Sequence, residues 1–247
     1  GYGLHESGAL MALDEASEAY VRLSVSDRLR FRENRKSLAE LLFDLVGAPY
    51  EGEEYLLCPS EEERMRARAA LRAAGVDPER EAVIALATGG DSARFPTKDW
   101  PPEHFAALAR LLAERTNARI VLVGGPKERE RNERLTRELG GLVVDTGCGH
   151  GIMEFCALLG ECDVVVSGDC FPMHAAVAMK TPVVAVFGPT PPQETPIFGR
   201  GRQIVTAVEC APCYNREVER CPQGWRCMPG IAPERVAEAV LEVLNDS

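Results

Sequence analysis

From Ala82 onward the chain alternates short, continuously apolar runs with amphipathic stretches, and this alternation restricts the fold more than any other feature. The spacing predicts strands over Val83–Ala87, Ile120–Val123, Leu142–Asp145, Val164–Ser167 and Val183–Phe187. Between and after them it predicts helices over Glu103–Arg115, Lys127–Leu139, Ile152–Leu159, Met173–Met179 and Pro233–Leu244. Strands apolar throughout, each followed by a helix, are those of a parallel sheet covered on both faces. The fold class read from the sequence is therefore α/β, a Rossmann-like doubly wound parallel sheet. Ligands in such sheets bind beyond the carboxyl ends of the strands, so the strand-to-helix loops are where chemistry is expected.

The first eighty residues lack this rhythm. Leu38, Leu41, Leu42, Leu45 and Val46 fall at helical spacing and stop at Gly47-Ala48-Pro49, a helix ended by Gly and Pro. Arg28, Arg30, Arg32, Arg35 and Lys36 crowd one stretch, read as a solvated helix face or linker. A short strand is expected over Glu54–Cys58, and Ser60 with Glu63 forms a capping box for a helix running to Gly75. The expected division is a partial N-terminal lobe or linker over 1–80 and a ligand-binding domain over 81–247.

Composition narrows the partners. Hydrophobic residues make up 45% of the chain, and no apolar run approaches the ~20 residues a membrane span needs. With 28 basic and 38 acidic side chains the formal charge is −10, which argues against broad binding to nucleic acid. The N-terminal residues show no secretory pattern, so a cytoplasmic setting with reduced thiols is expected.

The loop after the first predicted strand runs from Thr88 through Gly89, Gly90, Ser92, Arg94 and Lys98 to Pro102. Its glycines let backbone amides approach an anion, and Thr88, Ser92, Arg94 and Lys98 offer hydroxyls and cations for a diphosphate; the alternative is a surface loop with Lys98 solvated. Gly124-Gly125-Pro126 opens the next helix, with Glu128 placed to accept from ribose hydroxyls. The third loop, Thr146 to Gly151, is glycine-rich around His150 and is read as one wall of a base pocket or as plain loop. Asp169 at the end of the fourth strand, followed by His174 in the first turn of a small-residue helix, suits an anion or sugar at a helix N-terminus. No G-x-G-x-x-G follows the first strand, which removes a dinucleotide-dependent oxidoreductase.

Five motifs in fixed order carry a resemblance: Lys98-x-Trp100-Pro101; Gly124-Gly125-Pro126-x-Glu128; Ser167-x-Asp169 with Pro172-Met173-His174; Thr181 through Thr190; and Cys227-Met228-x-x-Ile231-x-Pro233-Glu234-x-Val236. Together they resemble glycosyltransferase family 9, the ADP-heptose:lipopolysaccharide heptosyltransferases of bacterial envelope synthesis. The resemblance implies the C-terminal, donor-binding lobe of a two-lobed GT-B enzyme. It places Thr88, Arg94, Lys98 and His174 on the donor diphosphate, Glu128 and His150 on the nucleoside, and Asp169 and Cys170 on the sugar. The implied reaction is an inverting, metal-independent transfer to a lipopolysaccharide core or other glycan, with peripheral contact to the inner-membrane surface. No cofactor is implied for catalysis, and the general base is expected outside this chain, leaving the catalytic residue unassigned. Cys170-Phe171 stands where the family carries a Ser-Gly pair, so the sugar is open. A non-catalytic nucleotide-sugar-binding module working with a separate acceptor lobe is the alternative.

Nine cysteines include a cluster, Cys210, Cys213, Cys221 and Cys227. In a reducing compartment this spacing points to a structural zinc, with an iron–sulfur cluster second; two disulfides or free thiols are the alternative.

Overall fold

The computed structural model describes residues 2–4, 6–7, 10–89, 95–215 and 218–246. Strands β1 (Tyr2–Leu4) and β2 (Leu10–Ala12) form a small antiparallel pair. Helix α1 (Glu15–Val25) follows, capped by the Asp14 side chain on the Ser17 amide. After a π-helical turn over Leu29–Glu33 comes α2 (Leu38–Val46), which stops at Gly47 in a left-handed conformation, as its Gly-Ala-Pro signal predicts. Helix α3 (Glu61–Ala73) carries the expected Ser60–Glu63 capping box. The segment Glu54–Cys58 joins no strand. Its Glu54 is instead clamped by Arg200 and Lys180, which ties the segment down through charge rather than a sheet ladder.

The alternating pattern folds as predicted, with β3 (Val83–Ala87), α4 (Pro102–Arg115), β4 (Arg119–Val123), α5 (Arg129–Leu139) and β5 (Val143–Asp145) making the first half. Helix α6 (Ile152–Gly160), β6 (Val164–Gly168), α7 (Phe171–Ala178), β7 (Val183–Phe187), β8 (Gly201–Val205) and α8 (Pro233–Asp246) make the second. All six strands pair in parallel, in the order β5-β4-β3-β6-β7-β8. The chain winds outward from β3 in one direction and then returns to wind outward in the other. Between β3 and β6 the order reverses, and there the two strand ends leave a crevice.

Strand β8 is absent from the sequence-based expectation. Its Gly-Arg-Gln start is only half buried at the sheet edge, and Ile204 alone is buried, so no apolar run announces it. Gly201 is required there: at φ +115° a Cβ would fall 1.9 Å from the Val183 carbonyl oxygen.

Both sheet faces are covered, as continuous apolar strands demand. Ile84 and Leu86 pack under α4, α5 and α8, while Val83, Ala85 and Ala87 face α3, α6 and α7. Helix α3, which sequence reading assigns to the segment before residue 81, thus belongs to the sheet's core through Ala67 and Leu71, both fully buried. The Arg28–Lys36 stretch is likewise not merely solvated. Phe31 is buried and stacks on Tyr214 at 5.4 Å, Arg30 pairs with Glu194 at 2.6 Å, and Arg32 donates to the Glu209 and Ala211 carbonyls. No described helix is long and apolar enough to cross a membrane.

Candidate functional site

The crevice between β3 and β6 opens into a pocket of about 810 Å³ whose walls are the loops after β3, β4, β5 and β6, with Tyr214 closing one side. Its charged centre is Asp169, at the end of β6. The Lys98 ammonium lies 2.7 Å from Asp169 Oδ2 and also donates to the Asp169 carbonyl at 3.0 Å. It sits 4.9 Å from the centre of the Phe95 ring, a cation–π contact. His174 Nε2 is 3.8 Å from Asp169 Oδ1, too long for a hydrogen bond but within strong electrostatic range. Lys98 and Asp169 are mostly enclosed, at 17% and 12% side-chain exposure, so their attraction is weakly screened. Burial lowers the His174 pKa; the Asp169 charge opposes that shift and Lys98 reinforces it. Tyr55, from the segment before α3, meets the His174 ring edge-on at 5.8 Å.

Helix α7 begins beside this group with no side chain capping it, so its positive dipole end faces the same space. Cys170, its N-cap residue, is held by hydrogen bonds to the Gly89 carbonyl at 3.2 Å and to Ser167 at 3.3 Å. Burial pushes the Cys170 thiol up to about 12, which makes it a neutral wall group that joins the β3 and β6 loops.

Glu128 crosses the mouth of the β4 loop, accepting the Gly125 amide at 2.9 Å. Two glycines make room for it: a Cβ at Gly89 would come within 2.4 Å of Glu128 Oε1, and one at Gly124 within 2.7 Å of Glu128 Cβ. The glycines read from sequence as anion-approach positions thus also seat a carboxylate between two loops. On the far side His150 bridges Glu154 and the Thr146 carbonyl, both at 2.8 Å. Beside it, Ile152, Phe155 and Phe171 line the pocket.

Lys98, Glu128, His150, Asp169, Cys170 and His174 are therefore brought to one pocket. Thr88 is not among its walls: its side chain is buried and its hydroxyl donates to Asn132 Oδ1 at 2.6 Å. Asn132 in turn reaches Cys148 Sγ at 3.7 Å, so a residue of α5 joins the loops after β3 and β5. Its neighbour Arg131 binds the Thr88 carbonyl and, at 3.1 Å, Asp99 Oδ2, pinning both sides of the β3 loop. Ser92 and Arg94 lie outside the described residues. Asn132→Ala should cost about 1–3 kcal/mol by leaving the Thr88 hydroxyl buried without an acceptor, measurable by urea denaturation; an unchanged midpoint would contradict this tie.

Sequence reasoning missed Tyr55, Phe95, Phe155 and Tyr214. Tyr55 and Tyr214 lie far along the chain from the glycine loops, Phe95 sits within the first loop among its polar residues, and Phe155 reads as an ordinary core position of α6.

The structure does not support the expected zinc site at the four clustered cysteines. All are free thiols, and among the described residues no group of three or more His, Cys, Asp or Glu side chains is placed to hold a metal. The loop is fastened by other means. Cys227 is drawn into the hydrophobic core beneath Gly188, where burial pushes its thiol up to about 11. Trp225 Nε1 donates to the Thr97 carbonyl at 3.0 Å, and Tyr214 packs between Phe31 and Phe95.

Against known proteins, the family model described as glycosyltransferase family 9 (heptosyltransferase) matches residues 17–222. Lipooligosaccharide heptosyltransferase 2 of Haemophilus influenzae is 30% identical over 153 residues, which cover 60% of this chain and 44% of that protein. The chain thus spans less than half the length of this curated relative. A crystal structure of a family 9 glycosyl transferase from Veillonella parvula superposes with a TM-score of 0.70 at 20% identity, covering 88% of this chain and 63% of the other. The E. coli ADP-heptose lipopolysaccharide heptosyltransferase II superposes with a TM-score of 0.61 at 23% identity, covering 77% and 54%.

Proposed function

The chain belongs to glycosyltransferase family 9, and from that premise we propose that its switch-point pocket binds a nucleotide-sugar donor, ADP-heptose or a close relative, as the donor-binding lobe of a heptosyltransferase-like enzyme. The observation that carries this reading is the Lys98–Asp169–His174 group facing Glu128 across one pocket. A cation, a histidine and an uncapped helix start converge on a place where a diphosphate would sit. Glu128, already anchored through Gly125, offers its second oxygen to ribose hydroxyls, with His150 on the nucleoside side. Asp169 and Cys170 then face the sugar. Arg94 is proposed as a second diphosphate cation.

In the proposed transfer a general base supplied outside this chain takes the proton of an acceptor hydroxyl. The acceptor oxygen attacks the anomeric carbon, the bond from that carbon to the diphosphate oxygen breaks, and configuration inverts. Lys98 and His174 stabilise the charge gathering on the departing diphosphate, the role a divalent ion plays in other transferases, so the reaction is proposed to be metal-independent. The acceptor is a lipopolysaccharide core or other glycan, met in the cytoplasm at the inner-membrane surface.

Isothermal titration against ADP-, UDP- and GDP-sugars tests the reading: saturable 1:1 binding of the ADP-sugar is expected, and no binding of any of the three would overturn it. A pH dependence follows from His174. Its lowered pKa in the free protein means that the unfolded chain binds this proton more readily, so stability drops as pH falls below the unfolded value of ~6.5. A bound diphosphate shifts the same pKa upward, so a proton is taken up on binding and ADP affinity rises from pH 8 to pH 6. Titrations in buffers of different ionisation enthalpy should reveal this uptake; proton release would contradict the placement of His174.

A further inference from the structure

At the starts of α6 and α7 the pocket exposes a group of large apolar side chains. Ile152, the first residue of α6, is 69% exposed, and Phe171, the first residue of α7, is 47% exposed. Phe155 lies behind them and stacks on Phe171, with ring centroids 6.1 Å apart and planes 27° from parallel. Large apolar side chains exposed together on a concave surface cost free energy in water that a flat apolar partner recovers. Nothing in the fold needs Phe171 to be exposed, since Met173, Ala175, Ala176 and Val177 supply α7's contacts with the core.

The charged groups occupy a different part of the same pocket. Lys98, Asp169 and His174 cluster around the end of β6, and Glu128 lies across Gly89 and Gly124. A ligand with its diphosphate at Lys98 and its ribose at Glu128 has one remaining flat portion, the base. Two aromatic walls line the pocket: Phe95 and Tyr214 beside Lys98, where the diphosphate is placed, and Ile152, Phe155 and Phe171, which are left for the base. We propose that Phe171, backed by Phe155, is a stacking platform for the nucleobase, so that this residue engages the base rather than the sugar. This rests on the nucleotide-sugar reading of the pocket and deepens it.

The stack between Phe155 and Phe171 gives the platform its stiffness. A face already held near parallel to a second ring is presented without a new rotamer being ordered on binding, so the contact loses little side-chain entropy. Base–aromatic stacking accepts any base face, so the platform confers affinity for purines through their larger area while polar groups near His150 choose among them.

The test compares ADP with inorganic diphosphate, and ADP with an ADP-sugar, by titration on the wild-type chain and on Phe171→Ala and Phe171→Tyr. Phe171→Ala is expected to weaken ADP binding roughly 10-fold or more while leaving diphosphate affinity unchanged, and Phe171→Tyr, which keeps the ring, to restore ADP binding. Equal loss for ADP and diphosphate, or no loss for ADP, overturns the platform while leaving the nucleotide-sugar reading in place. Tighter binding of the ADP-sugar by Phe171→Ala with ADP unchanged would make Phe171 a sugar-side wall and also overturns it. Failure of the wild-type chain to bind ADP at all would overturn both the platform and the reading beneath it. Because Phe171 is half exposed, its replacement is expected to leave the melting temperature close to that of the wild type, so lost binding is not lost folding.

Discussion

Lys98→Ala should weaken ADP and ADP-sugar binding by roughly 10- to 100-fold, because a charge-assisted hydrogen bond is worth about 1.5–3 kcal/mol and each tenfold is about 1.4 kcal/mol. Two effects act in the same direction. The variant removes the cation that a diphosphate would meet, and it leaves the enclosed Asp169 carboxylate without the partner that now sits 2.7 Å away. An incoming anion then faces an uncompensated negative charge. In the free protein Lys98 is satisfied by Asp169 and by the Phe95 ring, so a diphosphate at the proposed site would share the ammonium rather than recruit it. Lys98→Arg keeps the charge but not the compact geometry, and should fall between the wild type and Lys98→Ala. Titration of folded protein checks the order; Lys98→Ala binding ADP as tightly as wild type would take Lys98 out of the site.

Leu71→Ala should cost about 2–5 kcal/mol of stability, the usual range for emptying a fully buried leucine site, and lower Tm by roughly 5–15 °C in a chain of this size. Leu71 lies on α3 and is completely buried in the cluster that includes Ala67, Phe155, Leu158 and Leu159. Leu42→Ala on α2, where the side chain is 45% exposed, serves as the comparison and should be near neutral. The pair distinguishes two views of the first eighty residues. If α3 is part of the sheet's hydrophobic unit, the two substitutions differ severalfold in cost; if everything before residue 81 is a loosely attached remnant, both are mild.

Much of the α/β sheet was legible because its strands are buried on both faces, and continuous apolar runs such as Val83–Ala87 and Val164–Val166 have few other uses. Strand β8 escaped because an edge strand starting Gly201-Arg202-Gln203 has no such run. The pocket's position was legible for the same reason, since strand ends in a parallel sheet face one edge. The identity of its walls was less so. Thr88 looks like a ligand hydroxyl in sequence, but a strand-end side chain can turn inward, and this one found a buried acceptor in Asn132. The contacts of Tyr214 with Phe31 and of Tyr55 with His174 join residues more than a hundred positions apart, a pairing that no local spacing announces. The cysteine spacing looked like a metal motif, yet Cys227 serves the core beneath Gly188, and spacing alone does not distinguish a ligand from a buried thiol.

A crystal structure of the chain soaked with an ADP-sugar tests the central claim most directly. The diphosphate is expected within hydrogen-bonding reach of Lys98 Nζ and His174, the ribose hydroxyls on Glu128 and the base against Phe171. Nucleotide density away from the β3–β6 crevice, or none at saturating ligand, would contradict it.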